Sequence, residues 1–223
     1  MSACWSGSTS ASGKTDGGLL IRPDDARLLY VLAHGAGAGM RHVFLERAAQ
    51  AFAGRGIATY RYEFAYMRAG KSRPDSPAVA EAAVREAVAA AARAAPGLPL
   101  LAGGKSFGGR MTSQAQAQEP LPGVRGLVFL GFPLHPPGRP GVARAEHLSS
   151  VRVPMLFLQG TRDEFAPLEL LRGVVDGLGA RATLHLIDEG DHSFKVPKRT
   201  GKTEADVMDE LAETIASWAQ THG

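Results

Sequence analysis

Short runs of apolar residues alternate with longer segments of helical periodicity from about residue 18 to the end of the chain. Several runs, such as Leu28–Ala33 and Val124–Leu130, are apolar throughout, which is typical of strands buried on both faces of a parallel sheet. We predict strands over Leu28–Ala33, Ile57–Tyr62, Leu98–Ala102, Val124–Leu130, Val153–Gln159 and Ala182–Ile187, with Leu19–Ile21 as an edge strand. We predict helices over Arg41–Gly54, Ala78–Ala95, a segment ending near Gln118, Pro167–Leu178 and Glu204–Gln220. The alternation predicts an α/β fold, with a mostly parallel central sheet and helices on both faces.

Length and composition fit one domain. The chain has 223 residues, of which 44% are hydrophobic, enough to cover both faces of a sheet. Residues 1–17 are rich in Ser, Gly and Thr and lack the apolar core of a secretory signal, so we expect a flexible N-terminal arm there. We expect a single α/β domain over residues 18–223.

Net charge, apolar stretches and cysteine content bear on binding to nucleic acid and membranes and on the cellular compartment. The net charge is only +3, which gives no indication of nucleic-acid binding, and no apolar stretch approaches the roughly 18–20 residues of a membrane helix. The single cysteine, Cys4, excludes an internal disulfide and fits a reducing compartment, so we expect a cytoplasmic protein. We expect no nucleic-acid or membrane partner, no cofactor and no metal. The oligomeric state is left open.

A G-x-S-x-G motif follows the third of the buried strands. Residues Gly104–Gly108 read G-K-S-F-G, directly after a strand and before a helix, which is the context that this nucleophile motif requires. A nucleophile on such a sharp turn needs small neighbours, and glycines flank Ser106 on both sides. The helix N-terminus directs free N–H groups at any oxyanion formed there. We therefore predict Ser106 as a nucleophile.

Two segments imitate a nucleotide-binding P-loop but fail its register. For Gly104-Lys105-Ser106, the first glycine of G-x-x-x-x-G-K-[ST] would fall on Pro99. For Gly13-Lys14-Thr15, it would fall on Ser8, and no strand precedes it. We reject both.

A serine nucleophile needs a base and an orienting carboxylate, which in this kind of sheet follow it in the order acid, then histidine. Asp163 closes the turn after the predicted strand that ends at Gln159, and His192 lies just past the strand that ends at Ile187. Glu164 and Asp191 are alternatives for the acid. We prefer Asp163, and we expect Asp191 to shape its own turn through side-chain to backbone hydrogen bonds.

The loop after Leu28–Ala33 reads H-G-A-G-A-G. A dinucleotide-binding G-x-G-x-x-G would need glycine where Met40 stands. A small-residue loop at this place can instead supply an oxyanion-binding N–H group. We expect the backbone amides of Ala36 and Phe107 to bind the developing negative charge, and His34 to brace the loop.

With these three motifs in order, the chain resembles the α/β-hydrolase superfamily over roughly residues 18–221. It is most similar to small lidless members related to dienelactone hydrolase, and closer still to an uncharacterised bacterial branch with a G-K-S-x-G-G-R elbow, here Gly104–Arg110, and an F-P-L-H-P-P-G segment, here Phe132–Gly138. The resemblance implies the fold, the Ser106–His192–Asp163 triad and the oxyanion hole. It does not imply a substrate. Dienelactone hydrolase itself uses a cysteine nucleophile, and the resemblance gives no role to Lys105.

The segment between the strands ending at Leu130 and starting at Val153 has about 20 residues and several prolines, so we expect a stiff loop and no lid domain. The site should be open, which argues against a lipase. We expect the substrate to contact His34, Gly35, Tyr62, Phe64, Lys105, Arg110 and His135.

Basic residues gather on loops at the same edge of the sheet: Arg68, Lys71, Arg73, Lys195, Lys198, Arg199 and Lys202. A run of charges is most often a solvated face. The alternative is electrostatic steering of an anionic ester or thioester, or docking to an acidic partner.

Two functions fit these patterns. The first is a serine hydrolase that cleaves a small-molecule acyl substrate, an ester or thioester, through an acyl-enzyme. Cleavage of a peptide or a C–C bond uses the same machinery and is left open. The second is a catalytically weak interaction protein that keeps the same fold.

Overall fold

The apolar runs form neighbouring strands of one sheet in the computed structural model, which describes residues 11–15 and 17–222. The sheet has eight strands in the order β1-β2-β4-β3-β5-β6-β7-β8. The six strands from β3 to β8 are mutually parallel, and β1 and β2 are antiparallel additions at one edge. The strands are β1 (Ala11–Thr15), β2 (Gly18–Arg22), β3 (Leu28–Ala33), β4 (Ile57–Tyr62), β5 (Leu100–Lys105), β6 (Val124–Leu130), β7 (Met155–Gly160) and β8 (Ala182–Ile187).

Among the described residues, six α-helices flank the sheet, and the sheet separates the core into two layers. The helices are α1 (Val43–Ala53), α2 (Ala65–Arg68), α3 (Pro77–Ala94), α4 (Phe107–Gln118), α5 (Leu168–Leu178) and α6 (Glu204–His222). Along β3, Leu29 and Val31 pack with the core under α3, α4 and α5, whereas Tyr30 and Leu32 pack with the core under α1 and α6. Because successive side chains of a strand point to opposite faces, a fully apolar strand supplies both layers. The predicted fold class is confirmed.

The chain start differs from the expected flexible arm. Ala11–Thr15 forms β1, which pairs antiparallel with β2 from Ala11 opposite Arg22 to Thr15 opposite Gly18. This strand is held by backbone pairing and has the sequence A-S-G-K-T, so hydrophobicity gave no sign of it. The remaining arm residues, 1–10 and 16, lie outside the described residues. The predicted strand at Leu19–Ile21 exists as β2, one place in from the edge.

Other differences are short elements and shifted ends. β5 begins at Leu100 and extends to Lys105, so it carries the chain directly to Ser106. The described connection 131–154 holds a 3-10 segment, Ala143–Ser150, and no α-helix, which agrees with the expected lack of a lid. Among the residues that the structure describes, no helix is both long and apolar enough to cross a bilayer.

Candidate active site

Ser106 occupies a strained turn between β5 and α4. Its backbone has φ 49° and ψ −113°, a conformation that non-glycine residues rarely adopt, and its N–H donates to the carbonyl of Leu130 at 3.1 Å. Strain of this kind at the strand-to-helix turn is what the motif predicts for a nucleophile.

The glycines around Ser106 are required by close packing. A Cβ on Gly104 would lie 2.3 Å from the carbonyl oxygen of Ala33 on the adjacent strand. A Cβ on Gly108 would lie 2.6 Å from the carbonyl oxygen of His34. The turn can therefore press against β3 and the loop that follows it only because these side chains are missing.

Ser106, His192 and Asp163 form one hydrogen-bonded chain. The Ser106 Oγ lies 2.9 Å from His192 Nε2, and His192 Nδ1 lies 2.7 Å from Asp163 Oδ2. The Asp163 side chain is fully buried, whereas that of His192 is 20% exposed. With Nδ1 protonated and donating to the carboxylate, Nε2 presents its lone pair to the serine hydroxyl.

Asp163 is held by two further donors. The Gln159 side-chain amide donates to Oδ2, and the N–H of Phe165 donates to Oδ1 at 2.8 Å. The side-chain oxygen Oε1 of Gln159 in turn accepts from the backbone N–H of Phe132 at 2.9 Å. Sequence reasoning missed Gln159, although a buried polar residue ending an apolar strand four places before the acid is a usable signal.

The loop that carries His192 packs closely on the loop that carries Asp163. A Cβ on Gly160 would lie 2.2 Å from the carbonyl oxygen of Gly190, and the Phe165 ring lies 4.5 Å from the His192 ring. Asp191 accepts from the N–H groups of Ser193 and Lys195, at 2.7 and 2.9 Å, and so shapes its own turn. Glu164, the other alternative acid, is exposed.

Lys105 contacts the backbone of His192. Its Nζ donates to the carbonyl oxygen of His192 at 2.6 Å and lies 6.0 and 5.6 Å from the ring centroids of Phe44 and Phe194. Burial lowers the pKa of Lys105 to about 8, against the opposing attraction of the carboxylates of Asp163 and Asp191. The residue for which the motif offered no role therefore connects the nucleophile turn to the His192 loop.

The loop after β3 is braced from below by His34. The N–H of Phe64 donates to His34 Nε2 at 3.1 Å, which leaves Nδ1 as the donor to the carbonyl of Gly35 at 2.8 Å. Burial lowers the pKa of His34, so the neutral ring is favoured. The N–H of Gly37 is occupied by the Tyr66 hydroxyl at 3.0 Å.

The backbone N–H groups of Ala36 and Phe107 remain free. Both residues line the cavity above Ser106, and within the described chain neither N–H has a hydrogen-bond acceptor. Phe107 is the first residue of α4, where helix N–H groups have no intrahelical partner.

A cavity of about 1310 Å³ opens above the triad. Of the expected contact residues, Gly35, Lys105 and Arg110 line it. The expectation is corrected for four others, His34, Tyr62, Phe64 and His135, which are at most 5% exposed and lie behind the wall. His34 and Phe64 pack against each other with ring centroids 4.9 Å apart, because their side chains fill the core under the loop.

The basic loops contribute to the cavity only in part. Arg73, Lys195 and Lys202 line it, together with the acidic Asp75 and Glu204. Lys202 is paired with Glu210 at 2.7 Å, and Arg199 with Glu189 at 2.7 Å. No group of three or more His, Cys, Asp or Glu side chains suited to a metal ion occurs among the described residues.

Solved structures with the same fold span almost the whole chain. A dienelactone hydrolase from Anabaena variabilis is 19% identical, with 97% of this chain and 98% of that chain covered and a TM-score of 0.70. A Xanthomonas campestris protein, described as an α/β serine hydrolase without lid, is also 19% identical, with 98% of each chain covered and a TM-score of 0.66. The esterase domain of a Rhodothermus marinus protein is 15% identical, with 96% and 98% covered and a TM-score of 0.66.

A family model described as an alpha/beta hydrolase domain matches residues 26–220, which include all the residues of the site. The chain therefore belongs to the alpha/beta hydrolase domain family.

Proposed function

We propose that the protein is a serine hydrolase that cleaves small esters or thioesters through an acyl-enzyme on Ser106. The observation that carries the proposal is the hydrogen-bonded chain from Ser106 Oγ through His192 to the buried Asp163, with Ser106 in a strained turn. A serine hydroxyl becomes a useful nucleophile when a base takes its proton and a third group orients that base.

The first half of the reaction acylates the serine. His192 Nε2 takes the hydroxyl proton as Ser106 Oγ forms a bond to the substrate carbonyl carbon, and Asp163 stabilises the resulting imidazolium. The tetrahedral intermediate collapses, the bond to the leaving group breaks, and His192 returns the proton to the leaving oxygen or sulfur.

Water repeats these steps on the acyl-enzyme. His192 takes a proton from a water molecule as the water oxygen attacks the acyl carbon. The bond from the acyl carbon to Ser106 Oγ then breaks, His192 returns the proton to Oγ, and the acid product leaves. The free N–H groups of Ala36 and Phe107 are suited to bind the oxyanion in both halves.

The nature of the acyl substrate follows from the open cavity. The connection over residues 131–154 forms a wall without a lid helix, which suits a small soluble substrate better than one at an oil interface. The similar structures that are described as a dienelactone hydrolase and as an esterase domain support a carboxylic ester as the first class to test. On the reduced state expected of Cys4, we further propose a cytoplasmic location.

The decisive experiment compares the wild type with Ser106→Ala on 4-nitrophenyl butyrate. We expect turnover to fall by a factor of at least about 10³ while the circular dichroism spectrum is retained, since removal of a triad nucleophile costs on this order or more. Unchanged turnover would refute the assignment of Ser106.

A fluorophosphonate probe separates the enzyme from a catalytically weak interaction protein. An activated serine is labelled, and Ser106→Ala is not. Absence of labelling in the wild type would favour the interaction protein.

A further inference from the structure

Arg110 lines the active-site cavity, and within the described chain its guanidinium has no hydrogen-bond acceptor. Arg110 lies one helical turn after Ser106, and the backbone N–H of Arg110 donates to the Ser106 carbonyl at 3.1 Å. Its guanidinium carbon lies 5.9 Å from the centroid of the Phe107 ring. The Nε atom is buried without a hydrogen bond, and within the described chain the guanidinium donates to no acceptor and no carboxylate lies within 4.0 Å. Buried charged donors without partners are rare, because desolvation without compensation is costly.

A second arginine lines the same cavity close enough to repel the charge of Arg110. Arg144 belongs to the 3-10 segment Ala143–Ser150, which packs against α4, and it lines the same cavity as Arg110, Ser106 and His192. One of its Nη atoms donates to the carbonyl of His135 at 3.0 Å, and no other acceptor meets this guanidinium in the described part of the chain. Burial, and then the like charge of Arg144, lowers the pKa of Arg110.

The surrounding groups do not neutralise the pair. Glu81, buried on α3, attracts Arg110 but forms no ion pair with it among the described residues. His147 hydrogen-bonds Ser113 Oγ at 2.7 Å, and burial and the charge of Arg110 lower its pKa to about 4, so it adds no positive charge at neutral pH. Asp75 and Glu204 also line the cavity, but among the described residues no carboxylate forms an ion pair with Arg110 or Arg144 within 4.0 Å.

We propose that Arg110 and Arg144 form a subsite for an anionic oxygen-acid group, a carboxylate or a phosphate, carried by the substrate close to its scissile carbonyl. The proposal rests on the serine hydrolase function of the same site. Guanidinium groups offer planar forks of N–H donors that match such anions in two-point contacts, and an anion here would satisfy the donors that the protein leaves unpaired.

The position of Arg110 favours a short substrate. Arg110 follows Ser106 by four residues and both line one cavity, so an anion held by the two arginines belongs to the same small molecule as the carbon that Ser106 attacks. Half-esters of succinic and glutaric acid have their free carboxylate a few bonds from the ester carbonyl.

The test compares a charged ester with a neutral one of similar length. Mono-4-nitrophenyl glutarate and 4-nitrophenyl pentanoate are assayed with the wild type, Arg110→Gln, Arg144→Gln and Arg172→Gln. Arg172 is an exposed arginine on α5 outside the cavity, so its variant has the same change in net charge as the other two. We expect the ratio of kcat/KM for the charged over the neutral ester to fall about 10- to 100-fold in each cavity variant and to stay constant in Arg172→Gln, as expected for loss of a charge-assisted hydrogen bond.

Two outcomes would overturn the subsite: an unchanged ratio in both cavity variants, or an equal loss of the ratio in Arg172→Gln. If Arg110→Gln does not fold by circular dichroism, Arg110→Lys replaces it, with an expected smaller fall of the ratio because the charge remains and the fork is lost.

Calorimetric binding of glutarate and of inorganic phosphate provides a readout that does not depend on turnover. Tighter binding of one of them by the wild type assigns the subsite to carboxylate or to phosphate, and either should weaken about tenfold or more in Arg110→Gln. If neither ester is hydrolysed while anion binding is lost in Arg110→Gln, the hydrolase function fails and the anion subsite stands. If the esters are hydrolysed but no anion binds and the charged ester is not preferred, the hydrolase function stands and the anion subsite fails.

Discussion

At the scale of single residues, Lys105, next to Ser106, carries a charge that is largely removed from water. Lys105 has its ammonium beside the stacked rings of Phe44 and Phe194, 6.0 and 5.6 Å from their centroids, with the carbonyl of His192 as its hydrogen-bond partner. A Cβ on Gly131 would lie 3.1 Å from this Nζ, so the small residue after β6 leaves room for it. A hydrogen bond from a buried cation to the backbone of the base makes Lys105 a positioning residue for His192.

Replacing Lys105 by Met should change the pH dependence of stability. Because the pKa of Lys105 is lowered to about 8 in the folded protein from an ordinary value near 10.5, the unfolded state binds more protons between these pH values. The free energy of unfolding of the wild type should therefore rise relative to that of Lys105→Met by about 1–2 kcal/mol from pH 7.5 to 9.5. Urea unfolding at the two pH values measures this, and a constant difference would contradict the buried charge.

The same variant should lose activity through misplacement of the base. Met keeps the length and apolar contacts of the lysine stem but cannot donate to the His192 carbonyl. We expect kcat/KM for a neutral ester to fall about tenfold, since a displacement near 1 Å in an active site has effects of this order or larger.

At the scale of elements, the junction of β5 and α4 depends on the absence of side chains. Gly108→Ala would improve intrinsic helix propensity, but the new methyl group would meet Ala33 Cβ and His34 O at 2.6 Å. We expect the clash to dominate and to lower the free energy of unfolding by about 1–3 kcal/mol, with loss of the proposed hydrolysis of 4-nitrophenyl butyrate as Ser106 shifts.

Gly177→Ala on α5 is the matched control. A Cβ at this position would have no atom of a neighbouring residue within 4 Å. Helix propensity alone should therefore act there and raise the free energy of unfolding by about 0.5–1 kcal/mol. If both substitutions stabilised the protein, the packing explanation of the elbow glycines would be wrong.

At the scale of the whole molecule, buried neutral histidines should make the protein sensitive to acid. The pKa of His147 is lowered to about 4 by burial and by Arg110, below its ordinary value of 6.5. The unfolded state therefore binds more protons between pH 6.5 and 4, and the free energy of unfolding falls as the pH decreases through this window. The expected loss from pH 7 to 5 is about 1 kcal/mol, since solvent screens a partly exposed ring.

His147→Gln keeps a partner for Ser113 Oγ and removes the titration. Urea unfolding at pH 7 and pH 5 should show a smaller loss in the variant than in the wild type. A residual slope is expected, because burial also lowers the pKa of His34. Equal losses in both proteins would exclude His147 as a source of acid sensitivity.

The amino-acid sequence by itself determined the order of strands and helices and the turn that carries Ser106. These features are local: an apolar run predicts a buried strand, and a glycine-flanked serine between a strand and a helix predicts the elbow. It also indicated Asp163 and His192, because residues that follow parallel strands collect at one edge of the sheet.

Tertiary structure decided which side chains point into the cavity and what holds the triad. All four residues lie near strand ends on the same edge of the sheet. His34 and Phe64 are nevertheless buried, whereas Lys105 and Arg110 line the cavity. Spacing along the chain gives the position of a residue on the sheet but not the direction of its side chain once loops pack. The contacts of Lys105 with His192 join residues 87 positions apart, and β1 is held by backbone pairing that hydrophobicity does not encode. Such contacts depend on how loops distant in sequence meet, which only the folded chain determines.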